Sequence, residues 1–259
     1  MSVSFSVVTT IHAGSLLSEV SRCLNSCFDN EYYQPSEVIL VGDGVKVFEQ
    51  ESLKDDVKSR IRFIPYKKSG LAACLNFAVQ HTTTDIIARI DTDDYCCPGR
   101  FDIQIPYFLK RQLILCGGSI RKFTFSGEVV GIKRNPKSHM LIGFMLWKCP
   151  FNHPTVVFRK HEFLLSGGYN PDFARRQDYD LWWRMYPLGV CGNLREPLVN
   201  YQVSISYKRA WKDIVSQIKI GVFAAIGARR YLQVPFVFLL ILKHVYNVVR
   251  EKSRGGRRI

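Results

Sequence analysis

The sequence predicts an α/β fold with a mostly parallel central sheet flanked by helices. Three observations carry that prediction. Four β-like runs alternate with helical patterns before the chain reaches Asp94. Two of those runs pass directly into aspartates, at Gly42-Asp43-Gly44 and at Asp91–Asp94. The chain has 259 residues, 47% of them hydrophobic, which is enough for one such domain with an appendage.

The first run, Val3–Thr9, alternates and is β-branched, so it is read as a strand. After the loop His12-Ala13-Gly14-Ser15, Ser15 is placed as N-cap of a helix reaching about Phe28. Apolar Leu16, Val20, Leu24 and Cys27 fall at helical spacing there. Glu37–Val41 is the second strand and Ile61–Ile64 the third; Ser69–Gln80 is a helix opened by Gly70. The stretch Ile86–Asp94 (IIARIDTDD) begins apolar and ends in Asp91, Asp93 and Asp94. Short apolar runs mark strands buried on both faces, and ligands of open α/β sheets sit beyond the carboxyl ends of such strands. Three carboxylates this close repel one another unless a cation is shared, and hard ions such as Mg²⁺ take oxygen ligands. A dinucleotide-binding dehydrogenase is disfavoured, because no Gly-x-Gly-x-x-Gly follows the first strand.

Beyond the acids, Pro98 and Arg100 start a helix running to about Lys110. Leu113–Cys116 is a strand, Gly117-Gly118 a turn, and Phe123–Ile132 a hairpin arm around Ser126-Gly127. Lys137–Trp147 is read as a helix and Thr155–Phe158 as a strand preceded by Asn152-His153-Pro154. Gly167-Gly168-Tyr169 is a loop, and Gln177–Tyr186 a helix with Asp178 in its first turn, where the helix dipole favours a carboxylate.

The net charge of +14 is unevenly placed. From Tyr207 onward twelve Lys or Arg face two acids, a balance of +10 that leaves +4 for the rest. The expected division is a domain over 1–206 and a basic, apolar helical extension over 207–259. Within the latter, Val234–Val249 is strongly apolar but is interrupted by Lys243 and His244, and it is shorter than a span requires. It is read as an interfacial helix with a polybasic end, lying on the inner membrane surface. The eight cysteines show no four-ligand zinc spacing and no signal peptide precedes them, so free thiols in a cytoplasmic setting are expected.

In combination, the Asp closing the second strand, Asp91-Thr92-Asp93-Asp94, Asn152-His153-Pro154, Gly167-Gly168-Tyr169 and Gln177-Asp178-Tyr179-Asp180 resemble the nucleotide-sugar glycosyltransferases of family 2. The likeness covers roughly Ser2 to Val203. It lies nearest the bacterial enzymes of surface-polysaccharide assembly (capsule, O-antigen, exopolysaccharide). It implies the glycosyltransferase A-type fold. It implies that Asp43 accepts a hydrogen bond from the base, uracil, and that Thr9 and His12 in the loop Thr9–Ala13 line the base pocket. Asp91 supports the metal site or sugar, Asp93 meets the ribose or the metal shell, and Asp94 holds Mn²⁺ or Mg²⁺ on the donor diphosphate. Asp178 matches the catalytic base, and His153 stands near the donor. Where many members carry an Arg that meets phosphate, this chain has Leu75; Arg89 or Lys68 is the candidate replacement. Gln177 replaces the usual Glu before the base, and Tyr201-Gln202-Val203 lacks the Tyr-Arg and following His of many members. The Gln-x-x-Arg-Trp motif of processive synthases is absent, which favours addition of one sugar.

The implied reaction is inverting displacement: a UDP-sugar donor, a hydroxyl of a lipid-diphosphate-linked saccharide as acceptor, and Asp178 taking the hydroxyl proton. Two other classes compete. A nucleic-acid binder would need the basic charge spread over a recognition surface rather than gathered behind Tyr207, so no nucleic-acid partner is expected. A sugar nucleotidyltransferase would need a Gly-rich loop with Lys or Arg after the first strand, and Thr9–Ser15 has neither cation.

Overall fold

The computed structural model describes residues 3–145, 148–173 and 175–203. Its first half is built as the β-branched runs dictate. Strands β1 (Ser6–His12), β2 (Glu37–Asp43), β3 (Ile61–Tyr66) and β4 (Ile86–Arg89) lie parallel in the order β3-β2-β1-β4. Helices α1 (Leu17–Ser26), the short α2 (Asp55–Lys58) and α3 (Leu71–Gln80) connect them. β1 and β4 are almost wholly buried, as strands covered on both faces must be.

The second half departs from a parallel sheet. It comprises β5 (Tyr95–Cys96), α4 (Arg100–Lys110), β6 (Leu115–Phe123), β7 (Val129–Lys133), α5 (Leu141–Met145), β8 (Val157–Arg159), α6 (Lys160–Leu165), α7 (Gln177–Met185) and β9 (Cys191–Gln202). β8 runs antiparallel between β4 and β6, β9 runs parallel to β6, and β5 closes the edge antiparallel to β9. The sheet is therefore mixed rather than mostly parallel. Antiparallel β8 follows a single 3-10 turn at His153–Thr155, and an antiparallel neighbour does not require the long crossover that joins parallel strands.

Two apolar layers flank the sheet. One packs α1 and α4, with Phe101, against Phe5, Val7, Ile11 and Leu198; the other packs α3, α6 and α7, with Trp182, against Val8, Ile87 and Phe158. The family-typical Arg position, Leu75, is wholly buried in this second layer.

Several elements differ from expectation. Gly117-Gly118 is not a turn but lies inside β6, where β9 comes so close that a Cβ on Gly118 would stand 2.5 Å from Leu198 Cγ. Glycine makes that approach possible. Lys137–Trp147 is not one helix but a 3-10 turn at Ser138–Met140 followed by α5. Ser15 does not cap α1; its Oγ accepts the His12 N–H at 3.1 Å and tightens the preceding turn. The first strand runs on to His12, so Thr9 is interior, with its hydroxyl buried and unpartnered. The Ser126-Gly127 hairpin is present, joining β6 to β7. All eight cysteines are free. The expected helical extension over 207–259 lies outside the described residues, and among those described no helix is long and apolar enough to cross a membrane.

Candidate active site

The carboxyl ends of β1, β2 and β4 meet at one edge, and the acids gather there because the sheet register puts them there. His12 and Asp43 are register partners at the ends of β1 and β2. β4 ends at Arg89, and the turn beyond it carries Asp91, Asp93 and Asp94. Each of these acids offers an oxygen, and the three oxygens lie within 4.8 Å of one another. Beside them opens a cavity of about 380 Å³ lined by His12, Ser15, Glu19, Asp91, Asp93, Tyr201 and Gln202.

The three acids are held differently. Asp91 is half-buried, and both its oxygens receive the guanidinium fork of Arg89, which is 1% exposed. A planar fork matched to a carboxylate fixes Asp91 in orientation. Asp93 is exposed. Asp94 is fully buried; its Oδ1 accepts the Gln202 N–H at 2.9 Å, and its Oδ2 has no partner. Burial, then the charges of Asp91 and Asp93, push the Asp94 carboxyl well above its ordinary range. A buried, unpartnered carboxylate oxygen among two further acids is the donor set that a hard divalent cation satisfies, so these residues fit Mn²⁺ or Mg²⁺.

A second acid centre stands on α7. Asp178 is half-buried in its first turn, and burial raises its pKa, opposed by its backbone hydrogen bond and by Arg89 and Arg176. The Cys149 thiol donates to Asp178 Oδ2 at 3.6 Å. His153 is bonded through Nε2 to the Tyr169 hydroxyl at 2.8 Å and packs edge-on to Trp182. Burial and the Arg89 charge hold His153 far below its ordinary pKa, so it is neutral. Arg89 thus acts on both centres: it forks Asp91 and its charge reaches Asp178 and His153.

Of the residues expected to bind the donor nucleotide, His12, Asp91 and Asp93 line the cavity. Thr9 is buried within β1 and does not line it, and Arg89 is committed to Asp91. Asp43 Oδ1 accepts the N–H groups of Ser69 at 2.6 Å and Gly70 at 3.2 Å, so it also fixes the start of α3. Lys68 is exposed beside Gly44.

Several residues were not anticipated. Glu19 accepts from the Gln202 side chain at 3.0 Å and adds a fourth carboxylate to the cavity wall. Tyr201, its hydroxyl pushed up to about 12 by burial and then by Asp94, closes the far side. Asn76 clasps Tyr169 by two bonds, Nδ2 to its carbonyl at 2.7 Å and Oδ1 from its N–H at 2.8 Å. The replacement of Tyr-Arg by Tyr201-Gln202 was the one sequence signal for that wall.

The comparisons with known proteins agree with this geometry. The family model described as glycosyl transferase family 2 matches residues 6–165. The amylovoran biosynthesis glycosyltransferase AmsE of Erwinia amylovora is 31% identical over 228 residues, covering 83% of this chain and 84% of its own. The UDP-Gal:alpha-D-GlcNAc-diphosphoundecaprenol beta-1,3-galactosyltransferase of Escherichia coli is 30% identical, covering 77% of this chain and 74% of its own. Among solved structures, S. aureus TarS superposes with a TM-score of 0.61 at 14% identity, over 84% of this chain and 39% of that longer one. Its 1–349 form in complex with UDP gives 0.59 at 14% identity, over 83% and 65%. The fold is that of these glycosyltransferases, the relatives act in surface-polysaccharide biosynthesis, and the chain belongs to glycosyl transferase family 2.

Proposed function

We propose that this chain moves one sugar from a nucleotide-sugar, with UDP-sugar as donor, to a hydroxyl of a lipid-diphosphate-linked saccharide, inverting the anomeric centre. The observation that carries this reading is the placement of two acid centres about one buried arginine, Arg89. One centre is crowded and borders an open cavity; the other is a single half-buried carboxylate. The two arrangements suit different work.

Asp93 and the unpartnered oxygen of Asp94 are the residues that would hold Mn²⁺ or Mg²⁺. When bound, such an ion neutralises the charge that develops on the leaving nucleoside diphosphate. Arg89 holds Asp91 aimed, and Asp43 and His12, side by side at the strand ends, face the base and ribose. Asp178 takes the acceptor proton as the hydroxyl oxygen attacks. Its raised pKa makes it a stronger base than an exposed aspartate, while Arg89 and Arg176 keep it ionised. Neutral His153, bonded to Tyr169, packs beside the donor without adding charge. The E. coli relative, whose name specifies UDP-Gal and a diphosphoundecaprenol-linked sugar, and UDP bound in the TarS structure support the donor and acceptor classes.

The test is calorimetric binding of UDP with and without Mn²⁺ to the wild type, Asp93→Ala and Asp94→Ala. Metal-dependent binding that is lost in the variants is expected. Equal binding with chelator present would remove the metal assignment, and binding of a different nucleoside diphosphate would change the donor.

A further inference from the structure

β7 is an anomaly in the sheet. It pairs only with β6, lies off the main strand order, and every residue in it except Gly131 is exposed. Val129 and Val130 lie where the β6–β7 register shifts, and are 59% and 51% exposed. Phe125 at the hairpin tip is 78% exposed, and Met140 and Ile142 just beyond are 52% and 40% exposed. A strand that buries neither face contributes little to the core, and contiguous apolar residues left in water mark an interaction surface.

Charge identifies the partner. Between Arg121 and Lys148 six Lys or Arg face a single acid, Glu128. Apolar tips rimmed by cations match a surface with an apolar interior and anionic headgroups. The same charge argues against the other occupants. Two copies of this face would bring like charges together. The chain beyond Tyr207 carries +10 and would be repelled too. The hairpin also adjoins the site, because Phe125 and Gly127 at its tip line a cleft with Leu16, Glu19 and Gln202, which also line the acid cavity.

We propose that the β6–β7 hairpin forms a docking surface for an anionic lipid bilayer, holding the edge of the acid-lined cavity toward the membrane. This goes beyond the transfer reading and can be tested without it. The experiment uses the full chain with vesicles of phosphatidylcholine, with or without 30% phosphatidylglycerol. Hydrogen exchange over residues 124–133 is expected to slow only with the anionic vesicles. In flotation, Phe125→Ser/Val129→Ser/Val130→Ser and Arg134→Glu/Lys137→Glu should each lose on the order of tenfold in partition, the second more steeply at low salt.

Unchanged exchange at the hairpin, or wild-type partition in both variants, would overturn the proposal. So would a wild-type dimer that the triple variant abolishes. An interaction with RNA that the charge reversal removes and the apolar variant retains, with no vesicle protection, would also overturn it. UDP binding, measured in the same samples, should match wild type in both variants; its failure in the wild type would count against the transfer reading alone.

Discussion

Asp178 and Arg89 show how one residue's environment sets another's chemistry. Burial raises the Asp178 pKa and Arg89 opposes it. As the proposed base, Asp178 works ionised, so activity should fall as pH drops into a range above that of an ordinary carboxylate. Arg89→Met should move the acid limb of kcat/KM to still higher pH, measured against a wild-type profile. Asp178→Asn should cut turnover by about 10²–10⁴-fold and leave UDP affinity close to wild type. The same substitution has a stability consequence of definite sign. A carboxyl whose folded pKa is raised favours the folded state when protonated, and that stability is lost as pH rises through the folded pKa. Asp178→Asn should therefore raise Tm at neutral pH, with the gain shrinking toward about pH 4. Asp94 is raised as well, and a protonated carboxyl cannot serve a cation, so metal-dependent nucleotide binding should weaken as pH falls through that raised range.

Among the elements, β6 and β9 carry the most tightly set contact. Gly118→Ala should destabilise by about 1–3 kcal/mol in denaturant unfolding, because Leu198 cannot retreat from a Cβ inside a buried strand pair. Asn76→Ala removes both bonds that hold Tyr169 and, through it, His153, and should cost about 1–3 kcal/mol. The β1–β4 strands and α1, α3, α4 and α7 were legible because each carries a local signal of its own: alternation in β1, an apolar run in β4, helical spacing in α1, and opening residues such as Gly70 and Pro98 before α3 and α4. β9 was not. Its stretch contains Gly192, Arg195, Glu196 and Pro197, which break any period, and pairing with β6 on one side and β5 on the other makes it a strand. β6 was half-legible for a related reason: two glycines that locally signal a turn serve a close strand approach.

The whole molecule draws its site from distant parts of the chain. The β4–β5 turn supplies the three acids, α7 the proposed base Asp178, and Tyr201 and Gln202 the cavity wall. The family match ends at residue 165, before Asp178 and before β9. A chain ending at residue 165 should lack both the base and the strand that bridges β6 to β5. The expected result is loss of a cooperative thermal transition, with no metal-dependent UDP binding.

Sequence alone determined the class of fold in its parallel half, the carboxylate cluster, the base candidate and the membership in a glycosyltransferase family. These depend on local runs and on short motifs whose chemistry is carried by residue type. Tertiary structure decided which acids are free. Asp91, Asp93 and Asp94 are near-equivalent on paper, yet one is forked by Arg89, one faces solvent and one is buried with a single oxygen unpaired. It likewise withdrew Thr9 from the pocket, committed Arg89 to an ion pair and brought Glu19 and Gln202 to the cavity. The reason is physical: burial and hydrogen bonding depend on which segments the sheet register brings together, and register is not written in any one segment.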